Sequence, residues 1–281
     1  GGGARRRSAS GPHSAGETPV ATSRSERGAG GRTPTPRQLC ALAARRLAAM
    51  GDPVRAEGAR VYFKKFEPIV LYGVAVPEVR RLTRELHATV KDAWGVDDAI
   101  RFCDLCVRRP HTELKWIGFF VLGRFAEDFP RSLLGTVKRW VSAGLCNNWA
   151  LVDALAPALV TPLLERYPDL VPVLTGWATS ANLWVRRTAV VPFVPLARKG
   201  RELDAAYAVA LSLFADREDL IHKACGWLLR EAGTTDLARL ERFLLAHGPR
   251  IPRTTLRYAI ERIPPGRRAR LLRVTRLLAR R

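Results

Sequence analysis

The chain has 281 residues, 47% of them hydrophobic and 26% charged, and a formal net charge of +21. That apolar content is ample for a sizeable core, while no run approaches the roughly 18 uninterrupted apolar residues of a membrane span. No membrane-spanning helix and no membrane partner are expected, and with no apolar segment near residue 1 a secretion signal is not expected either.

The cysteines, Cys40, Cys103, Cys106, Cys146 and Cys225, are odd in number and scattered. They suit a reducing compartment better than a disulfide framework, and a cytoplasmic location is expected. "CDLC" at 103–106 has CxxC spacing, but no second Cys or His pair follows at zinc-finger distance, so the thiols read as buried and structural and no metal is expected. The positive charge is uneven. Residues 1–37 carry +5, residues 262–281 carry +8 with eight Arg and no acid, and the middle keeps +8. A polyanion is the natural partner for such a chain, nucleic acid first. Only seven of the 47 basic residues are Lys. Arg suits bidentate phosphate contacts, although a GC-rich coding bias produces the same excess.

Taken in chain order, residues 1–37 are rich in Gly, Ser, Pro and Arg and nearly devoid of large apolar residues, which predicts a disordered basic tail. From residue 38 the apolar periodicity is helical almost throughout. Helices are predicted over 38–50, 53–65, 76–90, 97–109, 112–126, 130–143, 147–160, 168–178, 181–198, 203–214, 217–232, 236–247, 253–262 and 267–279. Short breaks such as "GDP", "RRPHT" and "AHGPRIP" separate them. Pro192 and Pro195 should kink or end the helix that contains them. Asp97 and Asp98 read as a helix start. Many short helices with tight connections predict an all-α fold, an α-solenoid of HEAT-like repeats with a concave basic groove. Trp149, Arg187 and Trp227 lie 38 and 40 residues apart, close to the ~40-residue period of such repeats. The main body is placed at 38–262, with 263–281 an Arg-rich C-terminal helix or tail, and a monomer is expected.

Within "NNWALVDALAPALV" (147–160), Leu151, Ala154, Leu155 and Ala158 form the expected packing stripe, and Trp149 and Asp153 fall opposite it, one turn apart. A half-buried indole beside a solvated carboxylate is the plain alternative. "LIHKACGWLLREAG" (220–233) repeats the pattern, with Lys223, Trp227 and Arg230 aligned away from its apolar stripe. "ANLWVRRTAV" (181–190) adds Trp184, Arg186 and Arg187. Cations would hold phosphates and indoles would lie against sugars or bases. A carboxylate repels phosphate, so Asp153 in such a place argues for a cationic ligand or a cation formed during reaction. No Ser or Cys sits in a recognisable nucleophile turn, and the five His residues are dispersed.

Together and in this order, "NNWALVD", "NLWVRRTA" and "KACGWLLRE" resemble the AlkD-type DNA alkylation repair family of HEAT-like-repeat DNA glycosylases, over roughly residues 53–262. "ARVYFKKF" and "YGVAVPEVRRL" resemble its N-terminal repeats. The resemblance implies hydrolysis of the N-glycosidic bond of N3- and N7-alkylated purines in double-stranded DNA, without metal or small-molecule cofactor and without enclosing the base. It also implies Asp153 as the catalytic carboxylate and Trp149 and Trp227 as indoles flanking the lesion sugar. Arg187 and Arg230 correspond to phosphate-holding arginines, with Lys223, Arg186, Trp184 and Tyr62 as further DNA-binding candidates. Ala75 stands where some members have Gln, a departure that bears on substrate range. The rival readings are a non-catalytic HEAT-repeat protein that binds damaged or branched DNA or RNA, and a protein-protein scaffold.

Overall fold

A computed structural model describes residues 33–278; of the tail expected over residues 1–37, residues 1–32 lie outside the described residues. The helices are α1 (Pro36–Met50), α2 (Pro53–Ala59), α3 (Val76–Ala88), α4 (Val96–Val107), α5 (Thr112–Leu122), α6 (Leu133–Ser142), α7 (Trp149–Leu155) and α8 (Thr161–Arg166). They continue with α9 (Val171–Thr175), α10 (Leu183–Thr188), α11 (Phe193–Arg198), α12 (Leu203–Ser212), α13 (Asp219–Thr235), α14 (Leu237–His247), α15 (Arg253–Ala259) and α16 (Pro265–Leu278). Among the described residues the only β-type pairing is an isolated bridge between Val70 and His111. The all-α expectation holds.

Chain chemistry explains the main boundaries. Thr35 accepts from the Gln38 N–H while the Gln38 side chain accepts from the Thr35 N–H, a reciprocal cap that starts α1 at Pro36. Residues 33–37, assigned by sequence to the tail, therefore belong to the folded body, and Pro34 further accepts from Trp94 Nε1 at 3.1 Å. At the other end, residues 265–278 form a helix. The helix predicted over 181–198 is two: Pro192 caps α11 and Pro195 falls in its first turn, so the chain breaks where proline cannot continue the ladder. The helix predicted over 53–65 stops early, at Ala59, and passes through a 3₁₀ turn, Arg60–Tyr62, into irregular chain up to residue 75. That irregular chain is tied down by the buried Glu113, which accepts the N–H groups of Tyr72, Gly73 and Val74 at 3.1, 2.8 and 3.2 Å. Gly73 has φ +83, and a Cβ there would sit 2.0 Å from the Asp52 carbonyl oxygen.

The repeat plan shows in which helices touch. Helices α3, α5, α7, α10, α13 and α15 form a row in which each packs on the next, and α4, α6, α11, α12 and α14 back that row. One continuous apolar core runs between the two layers, from Leu39 to Leu271. This is a helical-repeat solenoid, in which a repeat of about 40 residues returns the chain to the same row. Trp149, Arg187 and Trp227 recur at that spacing because α7, α10 and α13 are successive members of the row.

Candidate functional site

Helix α7 begins with two of its free N–H groups satisfied from outside the helix. Asn148 accepts from the Leu151 N–H at 2.9 Å, and the buried carboxylate of Glu67 accepts from the Trp149 N–H at 3.0 Å. The second oxygen of Glu67 accepts from the Lys64 N–H at 2.8 Å. An anion at a helix N-terminus is also favoured by the helix dipole. The same segment fixes the indole: Trp149 Nε1 donates to the Tyr62 carbonyl at 3.2 Å, and the Phe63 ring stacks on it with centroids 5.2 Å apart and planes 20° apart. Irregular chain from the first repeats thus sets the pose of a residue more than eighty positions later.

Asp153, one turn on, is met from α10 by Arg187. The Arg187 Nε and Nη2 donate to its two carboxylate oxygens, each at 2.9 Å, and Nη1 donates to the Leu220 carbonyl. The Arg187 side chain is 6% exposed and that of Asp153 19%. The pair therefore lies with its guanidinium inward and its carboxylate toward the opening. Helix α7 ends in a π turn, Ala156–Val160, that contains Pro157, and α8 follows directly. Such turns occur often at functional sites.

Across from α7, helix α13 presents Lys223, Trp227 and Arg230. These, with Tyr62, Glu67, Trp149, Asp153 and Tyr258, line one cavity of about 330 Å³. Trp149 and Asp153 also border a neighbouring, more apolar cavity of about 630 Å³, walled by Phe63, Trp116 and Phe120. Gly226 lets α13 approach α15 closely: a Cβ at Gly226 would lie 2.4 Å from Tyr258 Cβ. The cations of the cleft all have acid partners in the free protein. Lys223 holds Asp219 at 2.9 Å, and that hydrogen bond keeps its ammonium above the ordinary lysine value. Arg230 pairs with Glu261, and Lys64 lies 4.0 Å from Asp219.

Of the residues singled out by sequence, Trp149, Asp153, Arg187, Lys223, Trp227, Arg230 and Tyr62 come together at this cleft, Tyr62 with 75% of its surface exposed. Two do not. Trp184 is 8% exposed and belongs to the apolar core, so it is not a DNA-facing indole. Arg186 is drawn away by Asp216, which accepts from its Nε at 2.7 Å, and by the carbonyls of Ser180 and Ala181; it ties two repeats together. Arg187 sits in the cleft in a different role from the one expected: all three of its nitrogens are engaged beneath the surface, and it holds the carboxylate instead of presenting itself to a phosphate. The predicted packing stripe of α7 also shifts. Val152, Ala156 and Val160 are buried with Leu151 and Leu155, whereas Ala154 and Ala158 line the apolar cavity. Sequence reasoning missed Glu67, Phe63 and Tyr258. Phe63, adjacent to Tyr62 in "VYFKKF", was the one with a visible signal.

Fold and cleft define a class: a helical-repeat protein whose cleft holds a guanidinium-backed carboxylate together with two indoles on one row of helices. Residues 43–263 match the sequence model of the DNA alkylation repair enzyme family, and the chain belongs to that family. No curated protein matches it. Among solved structures, one described as a predicted DNA alkylation repair enzyme from Enterococcus faecalis superposes with a TM-score of 0.67 at 17% identity. It covers 77% of this chain and 98% of its own. It shows the same fold. The smu.31 protein from Streptococcus mutans UA159 matches with a TM-score of 0.45 at 20% identity, over 59% of this chain and 88% of its own.

Proposed function

We propose that this DNA alkylation repair protein is a DNA glycosylase that hydrolyses the N-glycosidic bond of cationic N3- and N7-alkylated purines in duplex DNA. The observation that carries the proposal is the carboxylate of Asp153, turned toward a cleft between Trp149 and Trp227 and held from behind by Arg187. An alkylated purine already carries positive charge and leaves without a proton from the enzyme. As the bond lengthens, positive charge grows on the deoxyribose, and a fixed carboxylate nearby stabilises it and orients the attacking water. The Asp153–Arg187 pair is a dipole whose negative end faces the site. Its bidentate geometry prevents the carboxylate from rotating, which is the preorganisation that electrostatic catalysis needs. Indole faces favour cationic and polarised C–H groups, so Trp149 and Trp227 suit the walls of such a site. Lys223 and Arg230 meet phosphates by exchanging Asp219 and Glu261 for them.

One observation favours a second reading: Asp153 is already neutralised by Arg187, as in an ordinary structural ion pair, and a cleft of that kind only recognises DNA. Single-turnover release of 7-methylguanine from a defined duplex separates the two. Asp153→Asn should lower the rate about 100-fold, equivalent to about 3 kcal/mol of lost transition-state stabilisation, with duplex affinity nearly intact. A wild-type chain that binds the duplex and releases nothing makes the cleft a reading surface.

A further inference from the structure

Helix α16 takes no part in the cleft and lies beyond residue 263, where the family match ends. It is seated along one side only. Leu271 and Thr275 are buried against α14 and the 3₁₀ turn Gly248–Arg250, and Arg253 Nη1 donates to Thr275 Oγ1 at 3.2 Å. Every charged residue on the helix is Arg, and Arg267, Arg268, Arg270 and Arg273 are all exposed. Arg267, Arg270 and Arg273 recur every third residue, Arg268 stands beside them, and Arg276 continues the spacing in the sequence. Arg267 has a partner in Glu241 at 2.7 Å. Arg268, Arg270 and Arg273 are exposed and have no ion-pair partner among the described residues.

Cations three apart on a helix repel one another, and residues 262–281 contain no acid to offset it. The end of a solenoid needs a polar outer face, but mixed charges supply that without the repulsion. A single-signed stripe of guanidiniums is instead the footprint of a phosphate backbone, to which Arg binds bidentately. We infer that α16 is a second docking surface for duplex DNA, holding backbone phosphates outside the lesion cleft and adding affinity that depends on neither sequence nor damage. The inference rests on DNA as the partner and not on the release of a base.

The test is binding of the full chain to an undamaged duplex, read by fluorescence anisotropy between 50 and 200 mM salt. Replacing Arg268, Arg270 and Arg273 together by Gln should flatten the slope of log affinity against log salt by about 2 to 3 units and weaken binding roughly 100-fold near 0.1 M salt. The corresponding triple Lys variant keeps the charge and should recover most of the slope. An unchanged slope in the Gln variant overturns the inference, as does a Lys variant as defective as the Gln one, since charge would then not be the cause. Base release at saturating protein is scored separately. Its absence from the wild type counts against the glycosylase reading alone, provided that the α16-dependent slope is present.

Discussion

Removing Arg187 tests whether its task is to hold Asp153 or to hold a phosphate. In Arg187→Ala the carboxylate loses both charge-assisted hydrogen bonds while keeping its charge in a site only 19% exposed, and the Leu220 carbonyl loses a donor. Breaking one partner out of a buried pair costs about 3 to 5 kcal/mol. Because Asp153 retains some contact with water, the lower figure applies. For a body of this size each kcal/mol moves the midpoint by about 2 to 4 °C, so thermal unfolding followed by circular dichroism should show a fall of roughly 6 to 12 °C. Asp153→Ala should cost a similar amount, since it leaves a buried guanidinium without its counterion. The double variant removes both charges and should be no less stable than either single variant, giving a coupling of at least about 3 kcal/mol in a double-mutant cycle. Costs that add within about 0.5 kcal/mol would refute the pairing as an energetic unit. So would an Arg187→Ala protein whose salt slope for duplex binding falls by about one unit, because that would make Arg187 a phosphate ligand.

Arg230→Ala should behave in the opposite way, lowering the salt slope by about one unit because it frees one phosphate from a counter-charge; an unchanged slope removes Arg230 from the DNA contacts. Gly226→Ala should destabilise the fold by about 1 to 2 kcal/mol. Overpacking against Tyr258 Cβ and the Thr255 carbonyl, 2.4 and 2.8 Å from the added atom, exceeds the helix-propensity gain of about 1 kcal/mol, and a raised unfolding midpoint would contradict this. Cys40 should make stability pH-dependent. The hydrogen bond from the Cys106 thiol, 3.8 Å away, and then the Arg109 charge outweigh burial and bring the Cys40 thiol down to about 7. A depressed acid contributes stability that is complete above its unfolded value of 9.0 and is lost as pH falls through about 7. Denaturant midpoints should therefore rise from pH 7 to 9 in the wild type and rise less in Cys40→Ser; parallel profiles would rule Cys40 out.

The row of helices that bears the cleft was legible because its signals are local. In "LIHKACGWLLREAG" the apolar stripe and the Lys223, Trp227, Arg230 face are separated by the helical period alone, and Pro192 and Pro195 announce a break by their own chemistry. What failed depended on contacts between repeats. Trp184 and Trp227 both sit one position from an apolar residue in amphipathic helices, and only the neighbours of α10 decide that the first indole turns into the core. Arg186 and Arg187 are adjacent and alike in sequence, yet Asp216 claims one and Asp153 the other. Ala154 and Ala158 were assigned to the packing side because alanine is apolar, but the larger Val152 and Val160 gain more from burial and take that side. Glu67 lies in a segment with no period at all, so nothing in its surroundings marks it as the residue that secures the start of α7.

The π turn after Asp153 sets a constraint of length rather than of composition. It places an additional residue in one turn between the stretch that bears Trp149 and Asp153 and the stretch from Thr161 onward. Deleting one residue there would permit a regular helix, but each residue of an α-helix turns about 100°. The two stretches would then be out of phase, with either the cleft residues or the packing residues of α8 facing the wrong way. Substitutions within Ala156–Val160 are thus easier for this fold to absorb than a change in the number of residues, and a one-residue gap at this point in any related chain would mark a cleft that has been rebuilt.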